Sequence, residues 1–146
     1  LTGTTDIKLS SNEVKVLREY CLAGGLLFAD CGGAPWHTAF LALMQEIFPD
    51  QAMVEIPDDD PIFRAPCQFP SGAPPLWHHG GTRALGIKHQ DRWCVFYHPG
   101  DVNDAWKTGG SGLTPEQVVE AYDLGFNIVH YAFTHYLEAT RKYRQQ

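Results

Sequence analysis

Leu26-Leu27-Phe28-Ala29-Asp30-Cys31-Gly32-Gly33-Ala34-Pro35 decides the fold class. Residues 26–30 are an apolar run closed by an acid. A strand with one wet face would alternate polar and apolar side chains, so the unbroken run predicts a short strand buried on both faces, as in a parallel sheet. Cys31-Gly32-Gly33 turns the chain, and Pro35 suits the first turn of a helix, where its missing N–H is not needed.

The flanking sequence repeats this grammar. Upstream, Ser10 with Glu13 reads as a capping box, and Val14, Leu17, Tyr20 and Cys21 recur at helical spacing until Gly24-Gly25. Downstream, Trp36, Phe40, Leu43, Met44, Ile47 and Phe48 line one side of a second helix that Pro49 stops. Residues 53–56 read as a strand, and residues 57–81, rich in Pro, Gly and Asp, as a long loop of the kind that is often functional or mobile. Residues 85–89 and 93–97 flank Gln90-Asp91-Arg92 and predict a hairpin at or near a sheet edge. Thr114, Pro115 and Gln117 start a final helix, along which Val119, Tyr122, Phe126, Val129, Phe133 and Tyr136 make a long apolar stripe, with Gly125 placed to bend it. Leu1-Thr2-Gly3 reads as the exit of a preceding strand. The order predicts one α/β domain over residues 1–146, lacking an N-terminal strand, with an open, doubly wound, mostly parallel sheet covered on both faces and an edge hairpin.

A chain of 146 residues is the size of one domain. Every long apolar stretch is broken by charge, Gly or Pro, so no membrane span is predicted. A net charge of -6 argues against a general nucleic-acid binder. The one basic cluster, Arg141, Lys142 and Arg144, reads as the last turn of a helix, where cations meet the negative end of the dipole. Cys21, Cys31, Cys67 and Cys94 form no C-x-x-C pair and leave the redox compartment open. The chain starts at Leu1 with no basic-then-apolar leader, which is compatible with a removed signal peptide or further N-terminal sequence.

In an open α/β sheet, ligands sit beyond the carboxyl ends of the strands. That rule gathers Asp30, Cys31, Gly32, Gly33, His98 and Asp101 as a candidate ligand site for a small molecule or a protein partner. His78 and His79, with His98, offer imidazoles for zinc or copper, and His89 and Asp101 are further donors. No H-x-H or H-E-x-x-H spacing supports them. His37 can approach Cys31 or stand exposed on a first helical turn; His130 and His135 point to different sides of the last helix. Asp58-Asp59-Asp60 offers oxygen ligands or a solvated turn, without the spacing of a calcium loop. Trp77, Trp93, Trp106, Tyr97 and Phe69 serve either a partner surface or the core. Gly109-Gly110-Ser111-Gly112 lacks the strand and the Lys of a phosphate loop and reads as a linker.

Leu1-Thr2-Gly3, Leu9-Ser10 with Gly24-Gly25 and the acid-ended strand, Asp60-Pro61-Ile62-Phe63, and Gly125-Phe126-Asn127 with Tyr131-Ala132-Phe133-Thr134 resemble the bacterial domain-of-unknown-function family 4159 over most of the chain. The resemblance implies a three-layer, flavodoxin-like sandwich of the class I glutamine-amidotransferase-like group, commonly in exported or envelope-associated bacterial proteins, and no established activity. It further implies a second cysteine after residues 98–101, where Asp104 stands here. In such folds a nucleophile occupies the turn held here by Cys31. A helix N-terminus would favour its thiolate, the Gly32 and Gly33 amides would face an oxyanion, and His78, His79 or His98 would be the base. The His-x-Glu that such enzymes carry before the final helix is missing. Three readings follow: a non-catalytic ligand-binding or assembly module presenting residues 57–81, a hydrolase or amidotransferase-like enzyme built on Cys31, and a His-rich metal site.

Overall fold

A computed structural model describes residues 1–77, 79–107 and 112–144. Helix α1 (Ser11–Leu22) begins at the predicted capping box, in which Ser10 Oγ accepts from the Glu13 amide and Glu13 Oε2 accepts from the Ser10 amide at 2.7 Å. Its C-terminal end is held by Arg92, which is buried and donates to the Gly25 carbonyl at 2.9 Å and to the Cys21 carbonyl. A cation is favoured there, where unpaired carbonyls and the helix dipole converge. Strand β1 (Leu27–Asp30) and helix α2 (Ala34–Ile47) follow, with Pro35 in the first turn of α2.

Three further strands complete a four-stranded sheet among the described residues: β2 (Val54–Glu55), β3 (Leu85–His89) and β4 (Arg92–His98), in the order β1-β4-β3-β2. The sheet corrects the expectation of a mostly parallel, flavodoxin-like arrangement. Only β1 and β4 pair in parallel; β4 with β3 and β3 with β2 are antiparallel. The reason is placement. Strand β3 sits between β2 and β4, so its reversed direction sets two of the three pairings. The hairpin is therefore central, with β1 and β2 outside it. Its two-residue turn puts Gln90 and Asp91 at φ 50° and 62°, the left-handed pair that matches the twist of a tight hairpin.

Both faces of the sheet are covered. On one, Phe40, Met44 and Ile47 of α2 and Cys21 of α1 pack on Leu27, Ala29, Ile87, Val95 and Tyr97. On the other, Trp93 and Phe96 meet Ile62 and Phe63 of a 3-10 turn (Pro61–Phe63), together with Phe69, Leu76 and the last helix. The segment read as a long loop thus contributes Ile62, Phe63, Phe69 and Leu76 to the core. Asp60 is buried, accepting from the Trp93 indole at 2.9 Å and from the Ile62 amide at 3.0 Å. Asp58 pairs with Arg83 at 2.8 Å.

A short helix α3 (Val102–Ala105), capped by Asp101, has no counterpart in the sequence reading. The long helix α4 (Pro115–Arg144) starts at the predicted Thr114/Gln117 box. Ala121, Leu124, Ile128 and Tyr131 turn toward the sheet, while Val119, Tyr122, Phe126, Val129, Phe133 and Tyr136 stand outward. The stripe read from the sequence is therefore not the face that packs on the sheet. At Gly125 a side chain would strike the Trp106 ring, whose indole donates to the Ala121 carbonyl at 3.0 Å. Glycine serves that close approach. Of the glycine-rich linker, residues 109–111 lie outside the described residues.

Candidate functional site

The parallel register aligns Asp30 with His98, so the carboxyl ends of β1 and β4 bring together the residues picked out from the sequence. Cys31 is fully buried in the turn. Its amide donates to the Gly100 carbonyl at 3.2 Å, its thiol to the Gly33 carbonyl at 3.2 Å, and the Gly32 amide to the Gly3 carbonyl at 3.0 Å. The Cys31 and Gly32 amides are therefore committed to backbone carbonyls. Gly32 is confined as well: a Cβ there would lie 2.8 Å from the Gly3 oxygen and 3.2 Å from Asp101 Oδ2.

Beside the thiol lies a residue that sequence reasoning placed among the aromatics of the core. The Tyr97 hydroxyl is 2.8 Å from His37 Nδ1. Burial pushes the Tyr97 phenol above its usual range, with Cys31 adding to the effect, and burial lowers His37. Gly80 closes over the His37–Tyr97 pair, where a side chain would collide with His37 Nδ1.

The remaining predicted residues have structural partners. Asp30 is buried and accepts from the Asn103 amide at 2.6 Å; burial raises its carboxyl, with Asp101 adding to the rise. Asp101 Oδ1 accepts from the Asp104 amide at 2.8 Å. His98 is buried, its Nδ1 accepting from the Gly100 amide at 2.9 Å and its Nε2 lying 3.0 Å from the Pro74 carbonyl. Because the Gly100 amide donates to Nδ1, the ring presents Nε2–H to the Pro74 carbonyl and ties Pro74 to the sheet end. Of the proposed metal set, His78 lies outside the described residues and His79 stacks on Trp77. Among the described residues no three His, Cys, Asp or Glu side chains are grouped to hold an ion. His89 sits at the hairpin turn, away from His98, and the His135 ring lies 4.1 Å from that of Tyr131.

What the sequence did not show is that the apolar stripe of α4 lies on its outward side. Val119, Tyr122, Phe126, Val129, Phe133, Tyr136 and Leu137 are 46–65% exposed. Six of them fall at spacings of three and four residues in alternation, which keeps them in line on a helix that pairs with another helix. Two grooves run beside them. One, of about 600 Å³, is lined by Pro66, Trp106, Tyr122, Gly125, Phe126 and Val129, with His130 at its side. The other, of about 520 Å³, lies between Tyr20, Gly24 and Gly25 on one side and Ala132, Phe133 and Tyr136 on the other. Tyr122 anchors this side by donating to the Trp106 carbonyl at 2.9 Å. The alternating spacing was the available signal for this face; an apolar period alone does not say which of two apolar sides meets the sheet.

A family model described as a domain of unknown function (DUF4159) matches residues 1–133. No curated protein matches the chain.

Proposed function

The chain belongs to the DUF4159 family of domains of unknown function, and from that premise we propose that it is a protein-assembly module whose docking surface is the outward side of α4. One observation carries this reading: a line of large apolar side chains, 46–65% exposed, faces away from a core that α4 already completes with its other side. Together they present on the order of 700 Å² of apolar surface, beyond what a lone soluble domain usually leaves in one patch. The sheet end supports the same choice, because the Gly32 amide, one of the two expected to face an oxyanion, donates to the Gly3 carbonyl, and the Cys31 amide to that of Gly100. Protein is favoured over a lipid surface. The stretch that carries the stripe, residues 115–140, has no Lys or Arg, and the helix's bases fall only in its last four residues, whereas helices that lie on membranes carry them along the polar face.

Photo-crosslinking in the source cells tests the reading, with p-benzoylphenylalanine placed at Phe126 or, as a control, at the exposed Lys8. The expected result is a discrete protein adduct from position 126 and none from position 8. No adduct from a folded position-126 protein, or equal adducts from both positions, would overturn it.

A further inference from the structure

We infer that the occupant of this face is a second copy of the chain, its α4 packed antiparallel against the first; the inference rests on the assembly reading above. The 3-4-3-4-3 spacing from Val119 to Tyr136 is the pattern of a helix that meets another helix at a shallow left-handed crossing. The area agrees. About 700 Å² from the stripe of each copy, plus the groove walls, reaches the roughly 800 Å² per partner of a stable interface. A two-fold axis makes the same patch serve both sides, so no second complementary surface is needed.

Charge sets the direction. The acids Glu116, Glu120 and Asp123 stand in the first third of α4, and Arg141 near its end. Parallel pairing would bring acids against their own copies. Antiparallel pairing brings each acidic end toward the partner's Arg141 and also opposes the two helix dipoles. The register follows from the stripe. Phe126 lies against the partner's Val129, Tyr122 against the partner's Phe133, and Val119 against the partner's Tyr136. In that register Asp123 lies on the same flank as the partner's His130.

Cysteine pairing reads the register directly. Phe126→Cys and Val129→Cys are made separately in a Cys67→Ser background, the other three cysteines being buried. The two proteins carry tags of different mass, are mixed, and are oxidised mildly after circular dichroism shows each folded. The expected result is a mixed disulfide, joining position 126 of one protein to position 129 of the other, several-fold more abundant than either self-adduct. Dominant self-adducts of Phe126→Cys would indicate parallel pairing and overturn the inference, as would no adduct at all. Neither outcome touches the assembly reading, which is decided by the photo-crosslinker at Phe126 and its control; an adduct there of a mass other than two chains would sink self-pairing alone.

Discussion

Asn127 on α4 holds Cys67 by both of its backbone groups: Oδ1 accepts from the Cys67 amide at 2.8 Å, and Nδ2 donates to the Cys67 carbonyl at 2.8 Å and to the Ile62 carbonyl at 2.9 Å. The side chain is fully buried and satisfies three backbone groups of residues 57–81. One face of α4 is thereby bound to the domain, and its apolar outward face is left for something else.

Replacing Asn127 by Leu strands those three groups without offering a partner. Each orphaned buried group costs about 1–3 kcal/mol, so a loss of about 4 kcal/mol or unfolding is expected in urea denaturation. Asn127→Ala should fall between that value and wild type if water enters the space. A change within about 0.5 kcal/mol for Asn127→Leu would mean that the clamp contributes nothing.

The packing around Cys31 predicts slow chemistry at that thiol. Cys21, Cys31 and Cys94 are fully buried, and Cys67 is half-buried with its thiol pushed up by burial and by Asp123. Iodoacetamide near neutral pH should therefore label Cys67 first and Cys31 only on the timescale of opening. Mass spectrometry of the alkylated peptides decides it, and rapid preferential labelling of Cys31 would restore the enzyme reading. Gly32→Ala should cost about 1–3 kcal/mol, since its Cβ would press on the Gly3 carbonyl.

Asp30 predicts a pH dependence whose sign follows from burial. Its carboxyl is raised in the folded protein, so the fold binds that proton more tightly than the unfolded chain does. The contribution of Asp30 to stability is greatest below the ordinary aspartate range and is lost as pH rises through the folded value. Asp30→Asn keeps an oxygen for the Asn103 amide and removes the buried charge. Urea midpoints should show the variant gaining on wild type near neutral pH, with the gain shrinking as pH is lowered. A gain that grows toward acid pH would reverse the assignment.

Local chemistry was legible from the residues alone. The Ser10/Glu13 and Thr114/Gln117 boxes, the buried run of β1 and the hairpin each depend on side chains within a few positions of one another. Sheet order was not legible. Where β3 lies is decided by its pairing with β2 across the intervening residues 57–81, and no local pattern encodes that choice. At the sheet end, the gathering of Asp30, Cys31, His98 and Asp101 followed from strand direction, but the partners that engage them come from Gly3, Pro74, Gly100 and Asn103, remote or unmarked in sequence. Helix α4 is apolar on two sides. Its inward side is the more modest one, led by Ala121, Leu124 and Ile128, and the larger aromatic stripe masks it.

Sedimentation velocity of the chain beside a Phe126→Glu/Phe133→Glu variant tests the account most directly. Both positions are at least 60% exposed, so the variant should keep the wild-type circular dichroism spectrum. Wild type should sediment at twice the mass of one chain at micromolar concentration, and the variant at the mass of one, because a carboxylate at each contact cannot be buried without a partner. A wild-type protein that sediments as one chain up to high concentration, or a double variant that still sediments as two, would contradict pairing through the outward face of α4.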